Sequence, residues 1–357
     1  MLWDNFAYPV MELDPLVNVI HYPRSLWELR AYANAFDILV WGGGAIIDDS
    51  QYSNDPLKIS TGNLFIHLSK LIEARDKQVV CLGLSTSAAL ANPQLSKAIA
   101  NIAEHCEVLA IRDHHSMESL VACGVPQESL STCSDLVFAN SILQRMRDDR
   151  KGTKRGHELP NQPFTIAFVA LCTDYVQQHY IRVLSHIQKE LNHDRNREAH
   201  DVNSKGEYRI VLVPFGNLEA EDTRYYQQLL NKMEVSGNSI DNIEVAAYTN
   251  QVSNLALCQC DFYIAYKYHA ALIANAVGLP SISVCATRHP HYPNKMAHLA
   301  HICDYSNNLI DDYLFEQQAG TLLIKKIADG CGPHVSESLF EETDSWLQTT
   351  IEQMLAH

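Results

Sequence analysis

An α/β fold with two Rossmann-like domains facing a cleft is the architecture that the sequence predicts, on three observations. Short apolar runs alternate with amphipathic stretches through both halves of the 357-residue chain, which is the βαβ pattern of parallel sheets. A charged stretch without apolar periodicity, RMRDDRKGTKRGHELPNQ, separates the two halves. The length suits two cores, because single domains mostly contain about 100 to 200 residues. We expect an amino-terminal domain over 1–145, a linker over 146–162, a second domain over 163–325 and a helical segment over 326–357.

The first half contains three apolar runs that predict strands, FDILVWGGG, QVVCLGL and EVLAIRD. LFIHLSKLIEARDK and LSKAIANIAEHC predict the helices between them. SMESLVACGV predicts a helix that Ser116 caps and Gly124 ends. A further short strand is expected at SDLVFA.

The second half repeats this pattern. Strands are expected at FTIAFVALC, YRIVLVPFG, IEVAAYT, CDFYIAY and PSISVCA, and helices from about Asp174 to Asn192, through Tyr225 to Met233, and at HAALIANAVG. The last segment, LFEETDSWLQTTIEQMLAH, predicts an amphipathic helix that packs back across a neighbouring domain.

Composition excludes several classes of function. A formal charge of -15 disfavours nucleic acid and anionic membrane surfaces as partners, because both require clustered cations. The ten cysteines lie mostly in apolar runs, which is typical of a cytosolic protein with reduced thiols, and the pair Cys258 and Cys260 lacks a second pair at zinc-site spacing. No stretch has the roughly 20 apolar residues of a membrane span, and the amino terminus does not resemble a signal peptide. We expect a cytoplasmic protein without membrane insertion.

A run of three glycines, Gly42, Gly43 and Gly44, follows the first predicted strand and precedes Asp48 and Asp49. Consecutive glycines permit positive φ and a close approach of ligand or backbone. Neither the dinucleotide-binding pattern nor the P-loop pattern is present. The turn is therefore either a tight packing turn or a wall of the cleft, with Asp48 or Asp49 facing a sugar hydroxyl.

Two basic residues end predicted strands. Arg112 in AIRD can hold an anionic group, or it can form a local brace with Asp113. Lys267 and His269 lie between the strand DFYIA and the helix AALIANAVG. A cation and an imidazole at a helix amino terminus can bind phosphate or carboxylate and exchange a proton beside it. The alternative for His269 is a hydrogen-bonded surface or capping residue.

The segment YIAYKYHAALIANAVGLPSISV resembles the basic-x-His-x-x-x-x-x-Ala signature of the polysaccharide pyruvyl transferase family. Further landmarks follow the family's order, namely the glycine turn after FDILVW, then VVCLGLS, LAIRDHHSMESLVACGV, CSDLVFA and HPHYPNK. The resemblance covers roughly residues 36 to 310. It implies a fold similar to that of the two-domain (GT-B-like) glycosyltransferases.

The resemblance also implies an activity, the transfer of a pyruvyl group from phosphoenolpyruvate to two hydroxyls of a sugar as a cyclic ketal. His269 would be the acid/base residue, and Lys267 stands where the family usually has Arg. Lys267 and Arg112 would hold the anionic donor. The partners implied are phosphoenolpyruvate, a saccharide acceptor and, by peripheral association, polysaccharide assembly machinery. No cofactor beyond the donor is expected.

The family pattern implies an Arg at the end of FTIAFVALC, where this chain has Leu171-Cys172-Thr173. Arg288, His289 and Lys295 form a basic loop that could compensate for the missing Arg. His114 with His115, and His289 with His291, are not expected to bind a catalytic metal, because adjacent or alternate histidines in loops do so only where carboxylates or further histidines converge on them.

Two other functions remain open. One is a glycosyltransferase that uses a nucleotide sugar in the same cleft. The other is a family member without catalysis that serves as a binding or scaffold protein in polysaccharide assembly. The latter rests on Leu171-Cys172-Thr173 and on the mere 35 or so residues before FDILVWGGG, where a family member has a first strand and a glycine-rich turn.

Overall fold

The computed structural model describes two compact α/β units, formed by Met1–Ala139 with Glu337–His357 and by Asn140–Ser336. This confirms the predicted class of two parallel-sheet α/β domains. The described residues are 2–3, 19–20, 23, 25–42, 44–47, 61–75, 77–86, 90–139, 141–152, 163–172, 177–198, 207–215, 219–246, 260–287, 292–304, 306–329 and 335–356. In this part of the chain, none of the helices combines the length and apolarity that crossing a bilayer requires.

The first unit is built around a five-stranded parallel sheet. Its elements are β1 (Leu2–Trp3), β2 (Val19–Ile20), α1 (Leu26–Ala33), β3 (Ile38–Trp41), β4 (Gly44–Ile47), α2 (Thr61–Arg75), β5 (Gln78–Thr86), α3 (Pro93–Glu104), β6 (Cys106–Ile111), α4 (His114–Ala122) and β7 (Ser131–Thr132). The sheet order is β3-β5-β6-β7, with β4 also paired to β5, while β1 and β2 pair separately. Every residue of β5 after Gln78 is buried, as a central strand covered on both faces requires.

The glycine run does not form the predicted turn from a strand into a helix. Trp41 is paired with Cys81 and Gly44 with Leu84, so β4 continues the line of β3 along the edge of β5. Gly42 is exposed, does not adopt a left-handed φ, and has nothing within 4 Å of the position that a Cβ would occupy. The apolar residues after the glycines explain the difference, because Ile47 is buried in the core of this unit.

Two local predictions in the first unit were wrong. Ser116 does not cap α4; Asp113 does, by accepting the N–H of Ser116 at 2.8 Å, and the Ser116 hydroxyl accepts the N–H of Thr86 at 2.8 Å. SDLVFA is not a strand, because its last four residues form the 3-10 helix Leu136–Ala139. Asp135 favours this turn by accepting the N–H of Val137 at 3.2 Å.

The second unit contains a six-stranded parallel sheet. Its elements are α5 (Ser141–Gly152), β8 (Phe164–Val169), α6 (Gln177–Glu198), β9 (Tyr208–Leu212), α7 (Glu219–Val235), β10 (Ile243–Val245), β11 (Phe262–Ala265), α8 (Tyr268–Ala276), β12 (Ser281–Cys285), α9 (Tyr292–Ile302), β13 (Leu309–Asp311) and α10 (Asp312–Asp329). The order β10-β9-β8-β11-β12-β13 is that of the doubly wound dinucleotide-binding fold, and the order in which strands are added to the sheet reverses between β8 and β11. Ligands of such sheets bind at this switch point, outside the carboxyl ends of the strands.

The domain limits differ from those predicted. The structure divides the chain after Ala139, and α5 continues through Gly152 where a linker was expected to start at 146. Leu143 anchors this helix by burial, and the Arg147 guanidinium donates to the carbonyl of Val335 at 2.8 Å. Residues 153–162 of the predicted linker lie outside the described residues.

The carboxyl-terminal segment predicted at 326–357 belongs to both units. Its first part completes α10, whereas the last helix, α11 (Glu337–Ala356), joins the first unit. Phe340 of α11 packs edge-on against Phe138, with ring centroids 5.4 Å apart. The amphipathic terminal helix therefore packs on the first unit, although about 200 residues of sequence separate it from Ala139.

Helices α6 and α10 approach closely at Gly320. A Cβ at this glycine would lie 2.5 Å from Cβ and Cγ of Glu190 and 2.7 Å from the carbonyl oxygen of His186. Just before the contact, α10 departs from helical geometry at Gln318 (φ -128, ψ 16). The carbonyl of Glu316 accepts a hydrogen bond there from Nδ1 of His186 at 2.9 Å. The lack of a side chain at Gly320 thus sets the distance between the two helices.

Substituting Gly320→Ala should lower the free energy of unfolding by about 1 to 3 kcal/mol, because the added methyl group forces α6 and α10 apart. Urea unfolding monitored by circular dichroism measures the change. Gly42→Ala is the matched control, since its Cβ would meet nothing within 4 Å. Equal losses in the two variants would contradict the close-packing role.

Candidate active site

The candidate site of the second unit lies where β8 and β11 end side by side. Val169 and Ala265 are paired at the ends of these strands, and the N–H of Tyr266 donates to the carbonyl of Val169 at 2.9 Å. Cys172 follows the first strand and Lys267 follows the second. The switch point of the sheet therefore brings these two predicted segments together.

Lys267 forms an ion pair with Asp222 of α7, with Nζ and Oδ2 2.8 Å apart. The two side chains are 18% and 8% exposed. Oδ2 of Asp222 also accepts the N–H of Phe215 at 2.9 Å. Burial alone would raise the pKa of Asp222, but the Lys267 ammonium, the Cys172 thiol and the Phe215 N–H together bring this pKa below its usual value. The carboxylate is thus ionised and holds the ammonium at the end of β11.

The end of β8 is held by tyrosine hydroxyls. The N–H of Ala170 donates to the hydroxyl of Tyr226, and the N–H of Leu171 donates to that of Tyr180, both at 2.9 Å. Burial raises the pKa of both tyrosines well above the ordinary value, so both hydroxyls are neutral. Burial is also the main reason why the pKa of Cys172 is raised. This thiol is protonated at neutral pH and is not an activated nucleophile.

His269 is the second residue of α8 and its side chain is exposed. Its ring lies edge-on to that of the buried Tyr268, with centroids 5.4 Å apart. The first turn of α8 closes through the N–H of Ala271, which donates to the carbonyl of Lys267 at 3.0 Å. The side chain of Lys267, which occupies the N-cap position, makes no capping hydrogen bond to this helix start. An anion beside His269 would therefore meet the positive end of the helix dipole.

Arg112 is buried in the first unit, and each of its three guanidinium nitrogens donates a hydrogen bond within that unit. Its Nη1 lies 2.5 Å from Oδ2 of Asp135, and its Nε and Nη2 donate to the hydroxyl of Ser85 at 3.2 and 2.9 Å. Arg112 is 5% exposed and Asp135 is 7% exposed. The structure therefore favours a brace over an anion holder, with Asp135 as the partner and not Asp113, whose side chain caps α4.

The remaining predicted site residues are only partly described. Gly43, Asp48, Asp49, Arg288, His289 and His291 lie outside the described residues. Lys295 lies in the first turn of α9 and is partly exposed. The chain just before Arg288 is fixed by Thr287, whose hydroxyl donates to Oδ1 of Asp312 at 2.6 Å.

The described residues contain no group of three His, Cys, Asp or Glu side chains that could hold a metal ion. His114 lies on the surface and pairs with Glu118 at 3.4 Å. Cys258 of the C-x-C pair lies outside the described part of the chain, and Cys260 is buried.

Asp222 is a site residue that the sequence analysis missed. It lies in EAEDTRYYQQ, where several acidic residues begin a helix and none stands out by type. Only the strand order, which places β9 next to β8, brings the start of α7 near the end of β11. The signal that could have identified Asp222 was an acidic residue near the start of the helix that follows β9, the strand next to β8.

A family model described as polysaccharide pyruvyl transferase matches residues 4–287 of the chain. This range includes the strand ends, Asp222, Lys267 and His269. No curated protein matches the sequence.

Solved structures of GT-B-type enzymes share the fold at low sequence identity. The UDP-GlcNAc 2-epimerase from Methanocaldococcus jannaschii aligns with a TM-score of 0.55 and 9% identity, covering 99% of this chain and 90% of that one. Anabaena Alr3699/HepE, in complex with UDP and glucose, aligns with a TM-score of 0.53 and 10% identity, covering 97% and 88%. A Burkholderia xenovorans trehalose-phosphate synthase gives a TM-score of 0.51 at 9% identity, covering 92% and 78%.

If Arg112 is a brace, Arg112→Leu should lower the free energy of unfolding by about 3 to 5 kcal/mol, because it leaves the Asp135 carboxylate buried without its cation. Chemical denaturation measures this loss. The double variant Arg112→Leu with Asp135→Leu should recover most of it. His114→Ala, which breaks an exposed pair, should cost less than about 1 kcal/mol. An unchanged stability of Arg112→Leu would instead favour the anion-holding role.

The ion pair of Asp222 should make stability depend on pH. Because the folded-state pKa of Asp222 is lowered, its contribution is present above the unfolded-state pKa of about 3.9 and is lost as pH falls through the folded-state value. Asp222→Asn should therefore be less stable than wild type at pH 7, and the difference should shrink below about pH 4. Denaturation curves from pH 7 to pH 3 test this. A difference that stays constant with pH would refute the lowered pKa.

Proposed function

The chain belongs to the polysaccharide pyruvyl transferase family, and on that premise we propose that it transfers a pyruvyl group from phosphoenolpyruvate to a sugar as a cyclic ketal. The acceptor is a saccharide of a polysaccharide or of a lipid-linked repeat unit, and the reaction takes place in the cytoplasm. The observation that carries the proposal is that Lys267 and His269 both lie at the start of α8, beside the switch point of a doubly wound sheet.

His269 is the proposed acid/base residue. Its imidazole donates a proton to the C3 methylene of phosphoenolpyruvate, which becomes a methyl group and leaves C2 electrophilic. A sugar hydroxyl adds to C2 and loses its proton, and phosphate departs with the electron pair of the C2–O bond. The second hydroxyl then adds to C2 and loses its proton, which closes the ring. An imidazole that titrates near neutrality is suited to both directions of proton transfer.

Lys267 is the proposed anion holder. An ammonium has three donor hydrogens, so its bond to Asp222 leaves donors for oxygen atoms of the donor substrate. It supplies a point charge in place of the planar pair of donors that an Arg would offer. Arg112 is left out of this role because Asp135 and Ser85 bind its guanidinium. Lys295 and Arg288 remain proposed contributors of positive charge.

The proposal predicts that His269→Ala lowers kcat for phosphate release by about 100-fold or more, because the general acid is lost. The assay follows inorganic phosphate after mixing the protein with phosphoenolpyruvate and candidate β-galactoside or mannosamine-containing acceptors. His193→Ala, which removes another exposed histidine of the same unit, is the matched control and should keep the wild-type rate. Lys267→Met should chiefly raise KM for phosphoenolpyruvate. Equal rates for His269→Ala and wild type would reject the assigned role.

A nucleotide-sugar glycosyltransferase is the alternative enzyme, because the Anabaena protein of similar fold was solved with UDP and glucose. Thermal denaturation separates the two functions. Phosphoenolpyruvate should raise the melting temperature and UDP should not; the reverse result would favour glycosyl transfer. A chain that responds to neither donor but binds the saccharide would instead be the binding or scaffold protein, associated with polysaccharide assembly machinery.

A further inference from the structure

A partly buried chain of hydrogen bonds runs from α10 through α6 to the residue that precedes Lys267. Oε2 of Glu316 lies 2.6 Å from Nδ1 of His179, and Nε2 of His179 lies 2.9 Å from the hydroxyl of Tyr266. Oε1 of Glu316 accepts a hydrogen bond from Nε of Arg182 at 2.5 Å. None of these four side chains belongs to the donor site proposed above.

For the neutral form of His179, the chemistry of the groups fixes the direction of each bond. The carboxylate of Glu316 only accepts, so Nδ1 of His179 carries the hydrogen and donates it. Nε2 then has a lone pair and accepts the hydrogen of the Tyr266 hydroxyl. Burial, together with the negative charges of Asp312 and Glu316, holds the pKa of Tyr266 well above its ordinary value. The tyrosine is therefore a neutral donor whose one hydrogen goes to His179.

Tyr266 is held on its other sides as well. Its ring packs against those of Phe168, Tyr180 and Phe315, with centroids 5.5, 4.9 and 6.3 Å away. Its N–H is bonded to the carbonyl of Val169. The position of this residue is thus determined by the sheet, by α6 and by α10 together. Because Tyr266 is covalently joined to Lys267, greater motion of Tyr266 would also increase the motion of the start of α8.

We propose that His179 and Glu316 are positioning residues that act through Tyr266 to fix Lys267 and the first turn of α8, which carries His269. Glu316 selects the His179 tautomer, and His179 fixes the hydroxyl of Tyr266. Neither touches the substrate. This role rests on the proposed function only in so far as Lys267 and His269 carry the reaction; the fixed geometry of the turn exists without it.

Three variants separate this role from ordinary stabilisation. Tyr266→Phe removes the hydroxyl that His179 binds. His179→Asn keeps a donor near Nδ1 for Glu316 but has no atom at the position of Nε2. His179→Gln places its amide oxygen near the position of Nε2, where it can still accept the hydrogen of Tyr266. The proposal therefore predicts that Gln, but not Asn, replaces His179.

The first measurement needs no substrate. Amide hydrogen exchange by NMR at Ala271, which closes the first turn of α8 on Lys267, should be faster in Tyr266→Phe and His179→Asn and near wild type in His179→Gln. The second measurement is phosphate release, where the same two variants should lose up to about 100-fold in kcat/KM for phosphoenolpyruvate, since displacing His269 lowers the rate and displacing Lys267 weakens donor binding. His179→Gln should retain the wild-type kcat/KM.

The two measurements have distinct failures. If wild type releases no phosphate, the proposed function fails, and the exchange pattern alone decides the positioning role. The positioning role is overturned if His179→Gln matches His179→Asn in exchange at Ala271, or if all variants exchange like wild type. It is also overturned if the three variants lose equal thermal stability and show no difference in exchange among themselves, because that is the result of simple loss of packing.

Discussion

The parallel pairing of β8 with β11 is the constraint on which the site depends. It brings together two strands that are separated by more than 90 residues of sequence, from Val169 to Ala265. Because β9 lies on the opposite side of β8, the chain leaves the sheet in opposite directions from the two strand ends. The carboxyl ends of β8 and β11 therefore border a crevice, and the residues that follow these strands, Cys172 and Lys267, become neighbours.

Tyrosine hydroxyls stabilise this edge where the sheet's own hydrogen bonds stop. Tyr226 and Tyr180 accept the N–H groups of Ala170 and Leu171, which have left the ladder and would otherwise be buried donors without partners. Both hydroxyls also donate to backbone carbonyls, of Val213 and Leu171 respectively. Among the described residues at these strand ends, Lys267 and its partner Asp222 carry the charge. An Arg after β8 would have added a cation here, whereas this chain ends the strand with neutral groups.

The strands were predictable from sequence because each is a short apolar run that a doubly covered sheet must bury, as in β11 and β12, all of whose residues are buried. Local polar details were not. Ser116 and Asp113 are both good helix caps by type, and only the nearby N–H of Thr86, which binds Ser116, decides between them. The glycines failed as a turn signal because Ile47 pairs with Thr86 in the sheet beyond them. His269 and Lys267 were predicted because their signature is contiguous in the sequence, whereas Asp222 was not, because its contact with Lys267 is made only by the fold.

Arg112 and Lys267 show why two basic residues at strand ends cannot be ranked from sequence. Each has an aspartate partner at hydrogen-bonding distance, 2.5 and 2.8 Å away. The guanidinium of Arg112 has donors on three nitrogens, and Asp135 and Ser85 bind all three, so both its charge and its donor groups are used within the first unit.

The ammonium of Lys267 makes one bond to Asp222 and is more exposed. A carboxylate beside it holds it in place but also reduces its field, so the anionic donor that we propose must gain attraction from further cations or from the helix dipole of α8. On the proposed positioning role, the order that Tyr266 gives to Lys267 and His269 then matters more to this site than net positive charge.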